Sequence, residues 1–202
     1  HRDAQVLYPP VDVAQFSLSS DIEPYYLTGG RLVAYKNFDM VVKAFNELNI
    51  PLKVFGDGPE YAHLKKMAGS NVEIVGRVSD AERRKLFQHA TAFINAQEED
   101  FGITPIEAMA SGRPVIAYRA GGACETVKEG ETGVFFDEQA WEVLADVVAT
   151  FKPAAFDPEK IRNHAMQFSP EHFQERLKKL VREEFIRFRG LSNDADLGTL
   201  NT

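Results

Sequence analysis

The chain has 202 residues, of which 44% are hydrophobic, 26% charged and 11% aromatic, the profile of one globular domain able to bury about 70% of its unfolded surface. With 23 Lys+Arg against 30 Asp+Glu the net charge is −7, which argues against nucleic-acid or anionic-membrane binding by bulk charge and leaves any anionic ligand to a few local cations. A single cysteine, Cys124, excludes an internal disulfide framework. No run approaches the ~18 apolar residues of a membrane span, and the first residues lack a signal-peptide pattern. The chain opens His1-Arg2-Asp3 without a Met, as an excised or processed piece would.

Short β-branched runs alternate with helical patterns, so we expect a parallel sheet wrapped by helices. Tyr25 to Thr28 reads as a strand ending at Gly29-Gly30. Met40, Val41, Ala44, Phe45 and Leu48 recur at helical spacing across 38–48. Leu52 to Phe55 is a second strand, followed by the turn Gly56-Asp57-Gly58-Pro59 and a helix to about Ala68. Val72 to Val75 is a third strand. Ser79-Asp80-Ala81-Glu82 is a capping box that opens a helix to about His89. Ala92 to Asn95 is the fourth strand. A helix starts at Thr104 or Pro105 and stops near Ser111-Gly112. Pro114 to Ala117 and Gly133 to Phe136 complete the strands. The chain then turns helical, with starts at Asp157-Pro158 and Ser169-Pro170, the second helix running to about Arg189. Residues 190–202 lack periodicity and read as a loose tail. The expected architecture is a doubly wound, Rossmann-like α/β domain over residues 1–189 with a helical C-terminal extension.

In such sheets ligands bind beyond the carboxyl ends of the strands. Gly30, Arg31 and Lys36 place two cations beside a Gly-rich turn, the parts of a phosphate clamp; as isolated residues they are equally ordinary surface charges. The 56–61 turn is half of a dinucleotide fingerprint, but it lacks the third glycine, which disfavours a nicotinamide site. Glu98-Glu99-Asp100 ends a strand, and Phe101, Gly102, Ile103 and Thr104 lead into a helix N-terminus whose free N–H groups suit an anion. Glu107, one turn inside, could accept two hydrogen bonds from a vicinal diol such as a ribose. Taken singly, these acids are also a solvated loop and a favourable helix-dipole position. His1, His63, His89, His164 and His172 are scattered, so no metal spacing is present and no metal or cofactor is expected. Cys124 is expected to be a buried thiol.

Four ordered motifs change the weighing: Gly-Arg-Leu-Val-x-Tyr-Lys at 30–36, Gly-Asp-Gly-Pro at 56–59, Glu-Asp-Phe-Gly-Ile-x-Pro-x-Glu-Ala-Met-Ala at 99–110, and Gly-x-Pro-Val-Ile-Ala at 112–117. Together with Gly121-Gly122-x-x-Glu125-Thr126-Val127 and Glu131-Thr132-Gly133, the chain from about Pro9 to Arg189 resembles the C-terminal, donor-binding half of group 1 glycosyltransferases of the GT-B fold. That resemblance implies that Arg31 and Lys36, with Gly30, hold the diphosphate of a nucleotide-sugar. It implies that Glu99 faces the transferred sugar as the catalytic carboxylate, that Phe101 to Thr104 approach sugar and phosphates, and that Glu107 binds the ribose. The nucleobase would lie near Arg77 and Val78. Glu98 is treated as an accessory or solvated acid.

The resemblance further implies transfer of a hexose with retention to a glycan or lipid-linked acceptor. It places acceptor binding in an N-terminal half that this chain has no room for, so the domain alone is expected to bind donor and turn over little. The Tyr8-Pro9-Pro10-Val11-Asp12 lead-in and the 30–36 clamp resemble mannosyltransferases of bacterial surface polysaccharide synthesis. That favours GDP-mannose first and a UDP-hexose second. A cytoplasmic location follows, with any peripheral membrane docking left to the other half. The rivals are a GT-B-type UDP-N-acetylglucosamine 2-epimerase and a non-catalytic nucleotide-sugar binding module. In the last helix, Phe185, Ile186 and Phe188 either remain partly uncovered, as where such a helix crosses to the other half, or pack on their own sheet.

Overall fold

The computed structural model describes residues 4–189. Six short strands form one fully parallel sheet: β1 (Tyr26–Arg31), β2 (Leu52–Asp57), β3 (Val72–Gly76), β4 (Phe93–Asn95), β5 (Val115–Tyr118) and β6 (Gly133–Phe136). Their spatial order is β3-β2-β1-β4-β5-β6. The chain winds outward in one direction from β1 to β3, then returns to the middle and winds the other way from β4. The reversal leaves a crevice at the carboxyl ends of β1 and β4, the place where such folds take ligands.

Strand residues alternate between two cores because successive side chains leave opposite faces. Leu27, Phe55, Phe93, Val115 and Ala117 enter one core. It is covered by α3 (Asp80–His89), α4 (Ile103–Ala110) and α7 (Pro158–Ala165). Tyr26, Leu52, Val54, Ile94 and Ile116 enter the other, under α1 (Phe38–Leu48), α2 (Tyr61–Met67) and α6 (Trp141–Thr150). Phe87 of α3 is fully buried at the middle of an aromatic cluster, 5.9 Å from Phe16, 5.6 Å from Phe55 and 5.5 Å from Phe93 between ring centroids.

Local chemistry sets the helix starts. The capping box forms as the sequence dictates: Ser79 Oγ accepts from the Glu82 N–H, and Glu82 accepts from the Ser79 N–H at 2.8 Å. Asp157 caps α7, with Pro158 as its first residue. Helix α4 starts at Ile103, a residue before the expected Thr104, because Gly102 adopts φ +85 and turns the chain into the helix there. Helix α6 carries no capping signal, since Ala140 precedes it, and a short α5 (Ala123–Thr126) follows the Gly121-Gly122 turn.

Helix α8 (Pro170–Arg189) buries none of its twenty residues. Phe185 and Phe188 are exposed and Ile186 is half-buried, so the first of the two expectations for this helix holds. The expected tail at 190–202 lies outside the described residues. Of the described residues, no helix is long and apolar enough to cross a membrane.

Candidate functional site

The crevice at the β1–β4 reversal contains a cavity of about 580 Å³ lined by Pro9, Tyr35, Lys36, the 98–101 acidic loop, Gly102, Ile103 and Thr104. Most of the residues singled out from sequence thus meet at one place, delivered by two strand ends that lie side by side although they are some sixty residues apart in the chain.

The β1 wall is basic. Lys36 follows the strand in a short turn (Ala34–Lys36), and its Nζ lies 3.7 Å from where a Cβ on Gly30 would sit. Arg31 ends β1, is exposed, and lies outside the cavity lining, its guanidinium making no hydrogen bond or ion pair with the other described residues. The β4 wall is acidic. Glu98 and Asp100 are exposed and Glu99 is half-buried. Lys36 Nζ donates to Glu99 Oε1 across the crevice. With the two side chains only 11% and 21% exposed, this contact is shielded better than a surface pair, whose worth is close to zero.

The floor is the start of α4. Its N-cap, Gly102, offers no capping side chain, so the first-turn N–H groups need an outside partner. Close packing fixes the 98–101 loop above it. Gly122 N–H donates to the Glu99 carbonyl at 2.7 Å. A Cβ at Gly121 would sit 2.4 Å from that carbonyl oxygen, and one at Gly122 would sit 2.4 Å from Phe101 Cα. The Phe101 ring stacks on Tyr8 at 5.6 Å and meets the edge of Phe168 at 5.7 Å. Tyr8 Oη in turn donates to Glu125 Oε2 at 2.6 Å, which holds the phenol above its ordinary pKa. The lead-in segment at 8–9 therefore forms part of the site wall, and the Gly121-Gly122-x-x-Glu125 turn is its support.

Glu107 does not line the cavity. It lies one turn down α4 with 7% of its side chain open, and Arg83 Nη1 of α3 donates to both carboxylate oxygens, at 2.8 and 2.9 Å. Burial outweighs this cation and pushes the carboxyl up to about 6. Sequence reasoning passed over Arg83 because it stands in the charged run Glu82-Arg83-Arg84-Lys85, which reads as a solvated face. Nothing local separates the residue that turns inward from its neighbours.

Arg77 is exposed just past the end of β3. Val78 is half-buried and belongs to the wall of a separate groove with Tyr25, Lys53 and Leu86, about 370 Å³ in volume. The structure thus does not gather these two with the cavity residues. Cys124 is exposed, contrary to the expected burial, because α5 is a surface turn that buries only Ala123 and Thr126.

An α-1,3/1,6-mannosyltransferase from Rhizomucor pusillus is 31% identical over 138 residues, covering 65% of this chain and 30% of that protein. A GDP-mannose-dependent α-(1-6)-phosphatidylinositol monomannoside mannosyltransferase from Mycolicibacterium smegmatis is 34% identical over 132 residues, 56% of this chain and 35% of that one. The chain spans about a third of the length of these relatives. Among solved structures, Anabaena HepE in complex with UDP superposes with a TM-score of 0.76 at 19% identity, covering 89% of this chain and 57% of HepE. Sucrose-phosphate synthase from Thermosynechococcus elongatus gives 0.77 at 23%, covering 91% and 53%. These two likenesses establish the fold, the Rossmann-like C-terminal half of GT-B glycosyltransferases. The family model described as "Glycosyl transferases group 1" matches residues 14–168, well over half of the sequence, and the chain therefore belongs to the group 1 glycosyltransferases.

Proposed function

We propose that this domain binds a nucleotide-diphospho-sugar in the β1–β4 crevice and serves as the donor half of a retaining glycosyltransferase that passes a hexose to a glycan or lipid-linked acceptor held by a partner half. The observation that carries the reading is the two-sided charge of the crevice: a basic wall at Lys36 with Arg31 outside the lining beyond it, an acidic wall at Glu99, and the uncapped start of α4 between them. An anionic diphosphate joined to a polyhydroxylated sugar has matching halves.

The parts then divide the work. Lys36 has three donors, so it can keep Glu99 and still reach a phosphate oxygen. The Arg31 guanidinium, with no protein partner among the described residues, is available for a second. As the bond between the sugar's anomeric carbon and the phosphate oxygen breaks, the electron pair stays on the leaving diphosphate. These cations and the N–H groups of Gly102 to Thr104 stabilise that charge, which is preorganised electrostatic catalysis. Glu99 faces the positive charge developing on the sugar ring. Glu107 takes the ribose diol. Each charge-assisted contact of this kind is worth about 1.5–3 kcal/mol.

GDP-mannose is the favoured donor. Support comes from the mannosyltransferases among the relatives, one of them named as GDP-mannose-dependent, while the HepE complexes hold UDP and UDP-glucose. The deciding experiment is calorimetric titration of the chain with GDP-mannose, UDP-glucose and UDP-N-acetylglucosamine, beside Lys36→Ala and Glu107→Ala. The expected result is saturable binding of GDP-mannose, weakened in both variants. Tighter binding of a uridine donor would reassign the base, and binding indifferent to both substitutions would remove the crevice as the site.

A further inference from the structure

The Arg83–Glu107 pair is an odd object if its purpose is stability. Glu107 is 95% buried, yet the cation facing it does not offset the desolvation, for the carboxyl remains above its ordinary range. Arg83 is itself imperfectly satisfied: its Nε is buried and lacks a hydrogen-bond partner among the described residues. Glu107 is buried, but about a third of the Arg83 side chain is exposed, and a half-buried ion pair with one orphaned donor adds little to stability. Stability alone gives little reason for the pair, and the geometry suggests a functional constraint.

The geometry says what the constraint is. Arg83 Nη1 sits astride the carboxylate, 2.8 and 2.9 Å from its two oxygens. An ionised carboxylate has about four lone-pair positions; this arrangement uses one on each oxygen and leaves one on each. Two parallel acceptors are what a vicinal diol requires. The other charges on the elements around α4 are committed elsewhere or stand further off. Asp80 on α3 lies 3.4 Å from Arg83 Nη2. Arg162 of α7 donates to the carbonyls of Phe16 and Ala110. Arg113 donates to those of Ser111 and Ser19. Asp12, beside the turn that packs on α4, accepts from Gln15. The strands beneath contribute apolar side chains, Phe93, Val115 and Ala117. Among the described residues, Arg83 is the side chain that holds the Glu107 carboxylate.

We propose that Arg83 is the positioning residue for Glu107, keeping its carboxylate ionised and fixed in orientation for the ribose diol of the bound nucleotide. The proposal rests on the reading of Glu107 as the ribose ligand. Arg83 acts through Glu107 without touching the nucleotide, so its loss shows up as a change in the pH at which the ribose contact fails.

The test is binding of GDP, UDP and their 2′,3′-dideoxy analogues, by calorimetry between pH 5 and 9, to the wild-type chain, Arg83→Met, Arg83→Lys and Glu107→Gln. For the wild type, affinity for the ribonucleotide should fall as the pH drops through about 6. In Arg83→Met the midpoint should rise by about 1–3 pH units, the usual reach of an adjacent opposite charge. Affinity at pH 7 would then drop up to roughly tenfold for a one-to-two-unit rise and recover at higher pH. Arg83→Lys, which keeps the charge, should restore a midpoint near that of the wild type. The terminal phosphate of every nucleotide also titrates near pH 6, so the Glu107 midpoint is read as the ratio of ribo- to dideoxynucleotide affinity, and that ratio should be pH-independent in Glu107→Gln. A uniform loss of affinity at every pH in Arg83→Met and Arg83→Lys alike would show a merely structural arginine and overturn the proposal. If folded wild-type chain binds ribo- and dideoxynucleotide equally, the ribose assignment of Glu107 fails first; if it binds neither GDP nor UDP, the donor-site reading fails, and this proposal with it.

Discussion

Replacing Gly122 with alanine isolates the role of loop packing in the site. Gly122 has φ −61 and ψ −21, ordinary helical values, so alanine carries no backbone penalty there. The cost is wholly steric: the new Cβ would sit 2.4 Å from Phe101 Cα and 2.5 Å from the Asp100 carbonyl oxygen, where ordinary contact begins at 3.4 Å. Both neighbours are backbone, so no side chain can swing aside, and the 98–101 loop must retreat by about 1 Å. Overpacking of this kind costs about 1–3 kcal/mol, or roughly 2–12 °C in Tm for a domain of this size. The same retreat carries Glu99 away from Lys36 and shifts the approach to α4. A 1 Å misplacement can cost on the order of 10²-fold at a reacting centre, and we expect nucleotide-sugar affinity to fall by roughly tenfold or more. Differential scanning fluorimetry and calorimetric titration read the two effects. Gly130→Ala is the control: nothing lies within 4 Å of its Cβ, but its φ of +76 exacts strain, so stability should fall with affinity intact. A Gly122→Ala chain with wild-type affinity and a Tm within 2 °C of wild type would refute the reasoning.

Three further outcomes follow from the same geometry. Lys36→Met should weaken diphosphate binding by roughly 10–100-fold, equivalent to about 1.5–3 kcal/mol, and should flatten its salt dependence; an unchanged titration would place the phosphates elsewhere. Glu107 has its folded pKa raised to about 6 from 4.5, so the stability it adds is present below 4.5 and lost as pH rises through 6. Measured by urea unfolding, the stability of Glu107→Gln relative to wild type should therefore improve by about 2 kcal/mol between pH 4.5 and pH 8, from 1.5 pH units at about 1.36 kcal/mol each; a pH-independent difference would contradict the assignment. Phe87→Ala empties the centre of the Phe16, Phe55 and Phe93 cluster and should destabilise the chain by about 3–5 kcal/mol, checked by the same unfolding measurement with unchanged m-value.

Much of the fold is legible in the sequence because its signals are local. The capping box at Ser79, the Asp157-Pro158 start and the β-branched strand runs are chemistry within a few residues, and the structure places elements there. The elements without such punctuation are the ones that escape. Helix α6 starts after an uncapped Ala140, and the Gly102 turn shifts the start of α4 by a residue. Lys36, Glu99 and the 101–104 stretch are legible as parts of a site because their residue types and spacing match known chemistry.

What the tertiary structure alone decides is which of these parts face each other. Strand order puts β1 beside β4, and only that adjacency brings Lys36 to Glu99 across 63 residues of chain. It leaves Arg31 at the rim, and puts Val78 in a different groove. It selects Arg83 from a run of like charges to face Glu107, 24 residues away, and reveals that Gly122 is small because another backbone passes 2.4 Å from its missing Cβ. The physical reason is common to all of them: periodicity and capping are properties of neighbours in sequence, whereas desolvation, close packing and ion pairing depend on neighbours in space, and those exist only once the sheet has chosen its order.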